Sequence, residues 1–117
     1  MRGGKMKYFL SEAERKQTHG TCYFEFQRGI YQGECWLSDS LCLYAEVFDD
    51  LKLFKLFSKA IPHFDYYGVT IVTKDDWQTL VCLSKECGGE KEAVISELTS
   101  WVETCFELEE VFTICGI

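Results

Sequence analysis

The sequence predicts a single α+β domain: a mainly antiparallel sheet covered by two or three amphipathic helices. Three observations carry this reading. Aromatic and polar residues alternate over residues 21–28, whereas apolar residues between Tyr44 and Ile61 recur at steps of three and four. Two β-branched runs, Gly68–Val72 and Val111–Cys115, bracket a further pair of helical patterns. Finally, 117 residues with 47% hydrophobic and 26% charged content suffice for one core, and no repeat or linker divides them. The domain is taken as residues 1–117, with 1–6 a poorly ordered extension; Met6 serves equally well as the natural start.

Taken in order, Tyr8-Phe9-Leu10 forms a short strand or leads directly into a helix. Ser11 and Glu14 have capping-box spacing, which predicts a short helix through Gln17, closed by Gly20. Thr21–Arg28 reads as a strand, with Cys22, Phe24 and Phe26 facing oppositely to Tyr23, Glu25 and Gln27. Gly29–Gly33 then makes a hairpin connection to a return strand at Glu34–Leu37. Ser38-Asp39-Ser40 turns into a third strand at Leu41–Tyr44, completing a meander.

The next segment is a single amphipathic helix. Its stripe is Tyr44, Val47, Phe48, Leu51, Phe54 and Phe57, widened by Leu53, Leu56, Ala60 and Ile61, and Pro62 ends it. After the strand Gly68–Val72, Thr73 is an N-cap, and Asp75 and Asp76 complement the dipole of a helix burying Trp77, Leu80, Val81 and Leu83. Gly88-Gly89 ends that helix. A third follows, burying Val94, Ile95, Leu98, Trp101, Val102 and Cys105, before a last strand at Val111–Cys115.

The formal charge of −7 is unevenly placed: residues 1–60 sum to +1 and residues 61–117 to −8. An acidic second half argues against nucleic acid and anionic membrane as partners, and no apolar run approaches the roughly 20 residues of a membrane helix. Such a surface either keeps the domain soluble or steers a basic partner. The seven cysteines are read as reduced thiols, mostly buried, because their number is odd and no apolar signal region follows the basic start. A cytoplasmic location is the matching expectation.

Motifs for chemistry are sparse. His19-x-x-Cys22 and Cys82-x4-Cys87 fall short of the paired knuckles of a structural zinc site, so no metal is expected. There is no nucleophile elbow, P-loop or dinucleotide fingerprint, hence no cofactor and no catalytic residue is assigned. The acid pairs Asp49-Asp50, Asp75-Asp76 and Glu109-Glu110 sit at helix ends or in acidic runs rather than in apolar pockets. A non-enzymatic interaction protein is the remaining class. Its candidate partner-binding residues are Asp65, Tyr66, Tyr67, Asp75, Asp76, Glu103, Glu107, Glu109 and Glu110, which combine aromatic hot-spot types with the acidic excess. Asp65–Tyr67 and Asp75-Asp76 flank one strand, which lets them lie close together at its ends.

Lys7-Tyr8-Phe9-Leu10-Ser11-Glu12, Gly33-Glu34-Cys35, and Phe64-Asp65-Tyr66-Tyr67-Gly68-Val69-Thr70 followed by Asp76-Trp77 give the chain its likeness to known proteins. It resembles the small immunity proteins of bacterial polymorphic and contact-dependent toxin systems. The resemblance implies a cytoplasmic antitoxin that binds and neutralises a cognate toxin, often a basic nuclease, over its active site or an exosite. No particular immunity family is singled out and no family site is carried over. Two other classes stay open: a regulatory or adaptor domain, and a small thiol or hydrolytic enzyme using Cys35 or Cys22 with His63. The aromatic surface also admits a homodimer.

Overall fold

The computed structural model describes residues 6–18, 20 and 22–117. Residues 1–5 of the expected extension, together with His19 and Thr21, lie outside the described residues. Strand β1 (Phe9–Ser11) runs straight into helix α1 (Glu12–Lys16). The Ser11 hydroxyl accepts the Glu14 amide at 3.1 Å, and the Glu14 carboxylate accepts the Ser11 amide at 2.9 Å, so the capping box seen in the sequence is formed. Strands β2 (Tyr23–Arg28) and β3 (Leu41–Tyr44), helices α2 (Ala45–Asp50) and α3 (Leu53–Ala60), strand β4 (Val69–Thr73), helices α4 (Lys74–Cys87) and α5 (Gly89–Leu108), and strand β5 (Val111–Cys115) complete the chain.

The five strands form one sheet in the order β1-β3-β2-β5-β4, every neighbouring pair antiparallel. Alternation then sorts the side chains. Phe9, Leu43, Phe24, Phe26, Leu41, Ile114, Phe112 and Val72 share the face on which α2–α5 pack, and with Phe48, Leu53, Phe57, Leu80, Ile95 and Leu98 they make the core. The opposite face carries the cross-strand row Leu10, Cys42, Glu25, Cys115 and Val69. All six apolar residues expected from the last helix are buried on α5. Among the described residues no helix is long and apolar enough to cross a membrane.

Three expectations are corrected. First, residues 34–37 form no strand. β2 pairs instead with β3 across the whole of loop 29–40, and polar side chains take up the loop's backbone groups: Gln27 Nε2 donates to the Glu34 carbonyl at 2.8 Å, and the Glu25 carboxylate accepts the Leu37 amide at 2.9 Å. Trp36, at φ 63°, has a left-handed backbone that a regular strand does not accommodate.

Second, the helix expected over 44–61 is two helices. Lys52 takes a left-handed conformation (φ 55°, ψ 41°) between them. Phe48 and Leu53 stand five positions apart, roughly 140° around an unbroken helix, so one straight helix cannot bury both against a single face. The break re-aims the second stripe. Leu53, Leu56, Phe57 and Ala60 turn inward, while Phe54, expected in the core, is 48% exposed. Pro62 does end α3, with Ile61 extended.

Third, the cysteines are not mostly buried. Cys42, Cys105 and Cys115 are buried, but Cys22, Cys35, Cys82 and Cys87 are exposed.

Candidate functional site

The acidic candidates gather where α4 begins and α5 ends. Thr73 caps α4: its hydroxyl accepts the Asp76 amide at 3.1 Å, and the Asp76 carboxylate accepts the Thr73 amide at 3.1 Å. Asp76 is thus committed to a capping box, whereas Asp75 is exposed in the same first turn. The Gly88 turn (φ 66°) reverses the chain, so α5 returns alongside α4. Between them runs an open groove of about 550 Å³ floored by Trp77 and Val81 and bordered by Gln78, Lys85, Glu92 and Glu103. It continues past Phe106 and Glu107 to Lys74. Lys74 lies 3.8 Å from Glu110. Glu103 and Glu107 therefore line one end of the groove and Glu110 reaches it beside Lys74, while Asp75 is exposed in the first turn of α4 outside that lining and Glu109 is turned away and lies against Gly29.

The aromatic candidates lie at the other end of β4. Asp65 makes an Asx turn, its carboxylate accepting the Tyr67 amide at 3.0 Å while its own amide donates to Thr70 Oγ1 at 2.9 Å. The Tyr66 ring packs edge-on against Phe24 at 5.2 Å and its hydroxyl donates to Asp49. Burial and that hydrogen bond push the Tyr66 phenol above its ordinary value. Gly116 and Ile117 donate their amides to the carbonyls of Gly68 and Tyr66, at 2.8 and 2.9 Å, which fixes the turn from behind. A Cβ on Gly116 would collide with the Tyr66 carbonyl. Tyr67 alone projects, 77% exposed. The five residues of β4, roughly 16 Å of extended chain, separate this turn from Asp75 and Asp76. The structure does not bring the two groups together.

A third constellation occupies the face of the sheet opposite α2–α5, beside α1. Glu12 is buried and forms a two-point pair with Arg15, Nε to Oε1 at 2.7 Å and Nη2 to Oε2 at 2.9 Å. The pairing with Glu12 raises the Arg15 value further. The guanidinium lies 4.0 Å from the centre of the Trp36 ring. Glu25 is 1% exposed and accepts from Ser40 Oγ at 2.7 Å. Burial, seconded by the charges of Glu12 and Glu25, pushes the Cys42 thiol up to about 12. Burial likewise pushes Cys115 up to about 12.

Glu12, Glu25 and Arg15 were not singled out in the sequence. The one available signal was the placement of Glu25 opposite Phe24 and Phe26, which put a carboxylate on a sheet face without saying what covers that face. His63, the proposed base of a thiol enzyme, sits elsewhere: its Nε2 lies 2.8 Å from the Ile71 carbonyl and 3.9 Å from Asp76. His19 and its pairing with Cys22 lie outside the described residues. Comparison with protein-family models, with curated proteins and with solved structures finds no match for this chain.

Proposed function

We propose that this protein is a non-enzymatic binding domain of the immunity type, which neutralises a basic toxin by docking it on the acidic end of the α4–α5 groove. The observation that carries this reading is the convergence of Glu103 and Glu107 on a groove floored by Trp77, with Glu110 beside Lys74 at its end. Exposed carboxylates of one sign around a concave surface accelerate encounter with a cationic partner and discriminate against anionic ones. Apolar floor and polar rim match the usual anatomy of a protein interface. The resemblance to immunity proteins supplies the partner class, and the net −8 of residues 61–117 supplies the sign of its surface.

The test begins with the gene's neighbours, where an adjacent large reading frame ending in a toxic domain supplies the cognate partner. Association of the two is followed by stopped flow at low and high salt. The expected result is a rate constant that falls steeply with salt, and falls about tenfold in low salt for the double variant Glu103→Lys/Glu107→Lys. That variant keeps the wild-type melting temperature, because both side chains are exposed. A salt-independent rate, or full protection against the toxin by the double variant, overturns the reading.

A further inference from the structure

Glu25 and Cys115 are direct partners across the β2–β5 ladder. Their side chains therefore leave the face opposite α2–α5 side by side, with Cβ atoms about 5 Å apart. Loop 29–40 passes over them and is fastened on both sides of Cys35. Before it, Gln27 Nε2 holds the Glu34 carbonyl at 2.8 Å; after it, the Arg15 guanidinium stacks on Trp36 and Glu25 Oε2 holds the Leu37 amide at 2.9 Å. Cys35 is thereby lowered onto the pair from the solvent side. Its sulfur, the Cys115 sulfur and one carboxylate oxygen of Glu25 all lie within 4.8 Å of one another.

The carboxylate has capacity to spare. Glu25 Oε2 serves Leu37 and Ser40, but Oε1 is fully buried and has no hydrogen-bond partner among the described residues. Such oxygens are rare in folded proteins, because burial without a donor or a cation costs the hydration free energy. Here the unused lone pairs belong to the same carboxylate that flanks two thiols.

We propose that Glu25, Cys35 and Cys115 bind a thiophilic divalent cation of the zinc class, with two sulfurs and one oxygen as protein ligands. Two sulfurs each about 2.3 Å from a tetrahedral ion stand roughly 3.8 Å apart. Separations within 4.8 Å close to that value by side-chain rotation, without moving the sheet. Paired thiolates select zinc-like ions over calcium or magnesium, which take oxygen donors. The fourth position opens toward solvent on the side of Cys35, where the Tyr31 hydroxyl lies 3.9 Å from the Cys35 sulfur. Motif reading passes over this site because its ligands are 10, 80 and 90 residues apart in the chain.

The reduced, metal-free protein is titrated anaerobically with Co(II) and then with Zn(II). Binding of one equivalent of cobalt is expected, with a sulfur-to-cobalt charge-transfer band and tetrahedral d–d absorption, both bleached by one equivalent of zinc. Cys35→Ala, at an exposed loop position, keeps the far-ultraviolet circular dichroism of the wild type and loses the charge-transfer intensity. Its affinity falls by more than the roughly 10–100-fold that loss of an outer-shell partner brings. Glu25→Gln weakens binding likewise, and Cys82→Ser/Cys87→Ser, at two exposed positions of α4, binds as the wild type does. Absence of the thiolate band in the reduced wild type overturns the proposal. So does a band that survives in folded Cys35→Ala.

Discussion

Tyr66 donates its hydroxyl to both carboxylate oxygens of Asp49, at 2.9 and 3.1 Å. The bond ties the turn before β4 to the last turn of α2 and leaves the neighbouring Tyr67 as the projecting ring. Tyr66→Phe removes a partly exposed hydrogen bond to a charged acceptor and is expected to cost about 1 kcal/mol in urea denaturation. Tyr67→Ala is expected to cost less than about 0.5 kcal/mol, since its ring is mostly in solvent. A cost for Tyr67→Ala equal to that for Tyr66→Phe would contradict this division of roles.

The break at Lys52 makes an opposite assignment for two adjacent residues. Leu53 is fully buried and Phe54 half in water. Leu53→Ala is expected to cost about 3 kcal/mol through lost burial and the cavity left behind, and Phe54→Ala about 1 kcal/mol or less. An unbroken helix with Phe54 on its inner stripe requires the reverse order, so chemical denaturation of the two variants separates the geometries. Lys52→Gly, which relieves the left-handed backbone, is expected to be neutral or to stabilise by up to about 1 kcal/mol.

Asp75 and Asp76 are adjacent but not equivalent. Asp76→Ala breaks the capping box with Thr73 and is expected to lower stability by about 1 kcal/mol, as is Thr73→Ala. Asp75→Lys loses only its interaction with the α4 dipole, a few tenths of a kcal/mol. Thermal melts of the three variants test this. Binding experiments on the acidic groove are therefore cleaner at Glu103 and Glu107, which line it, than at Asp76.

Alkaline stability follows from Cys42, whose thiol is pushed from an ordinary 9.0 to about 12, first by burial and then by the charges of Glu12 and Glu25. Because the folded value lies above the unfolded one, the unfolded chain loses this proton first. The contribution is complete below about pH 8.5 and is lost progressively as pH rises through 9 toward 12. Urea midpoints at about pH 8 and about pH 10.5 should fall for the wild type, and fall less steeply for Cys42→Ala. Equal slopes would remove Cys42 as a source of the alkaline loss.

Legible in the chain itself are the α+β class, the strands β2, β4 and β5, the capping box at Ser11, the N-cap at Thr73, and the inward face of α5. These are set by local chemistry: period-two or 3.6 patterning, β-branched runs, and side chains that satisfy backbone groups two or three residues away. The remaining features come from contacts between distant segments. Whether 34–37 would pair as a strand depended on Gln27 and Glu25 capturing its backbone, and whether 44–61 would stay one helix depended on which faces the sheet could cover. The exposure of four cysteines and the meeting of Glu25, Cys35 and Cys115 depended on strand register and a loop fold-back across up to 90 positions of chain. Those contacts are created when distant segments close around one core, and no local pattern encodes them.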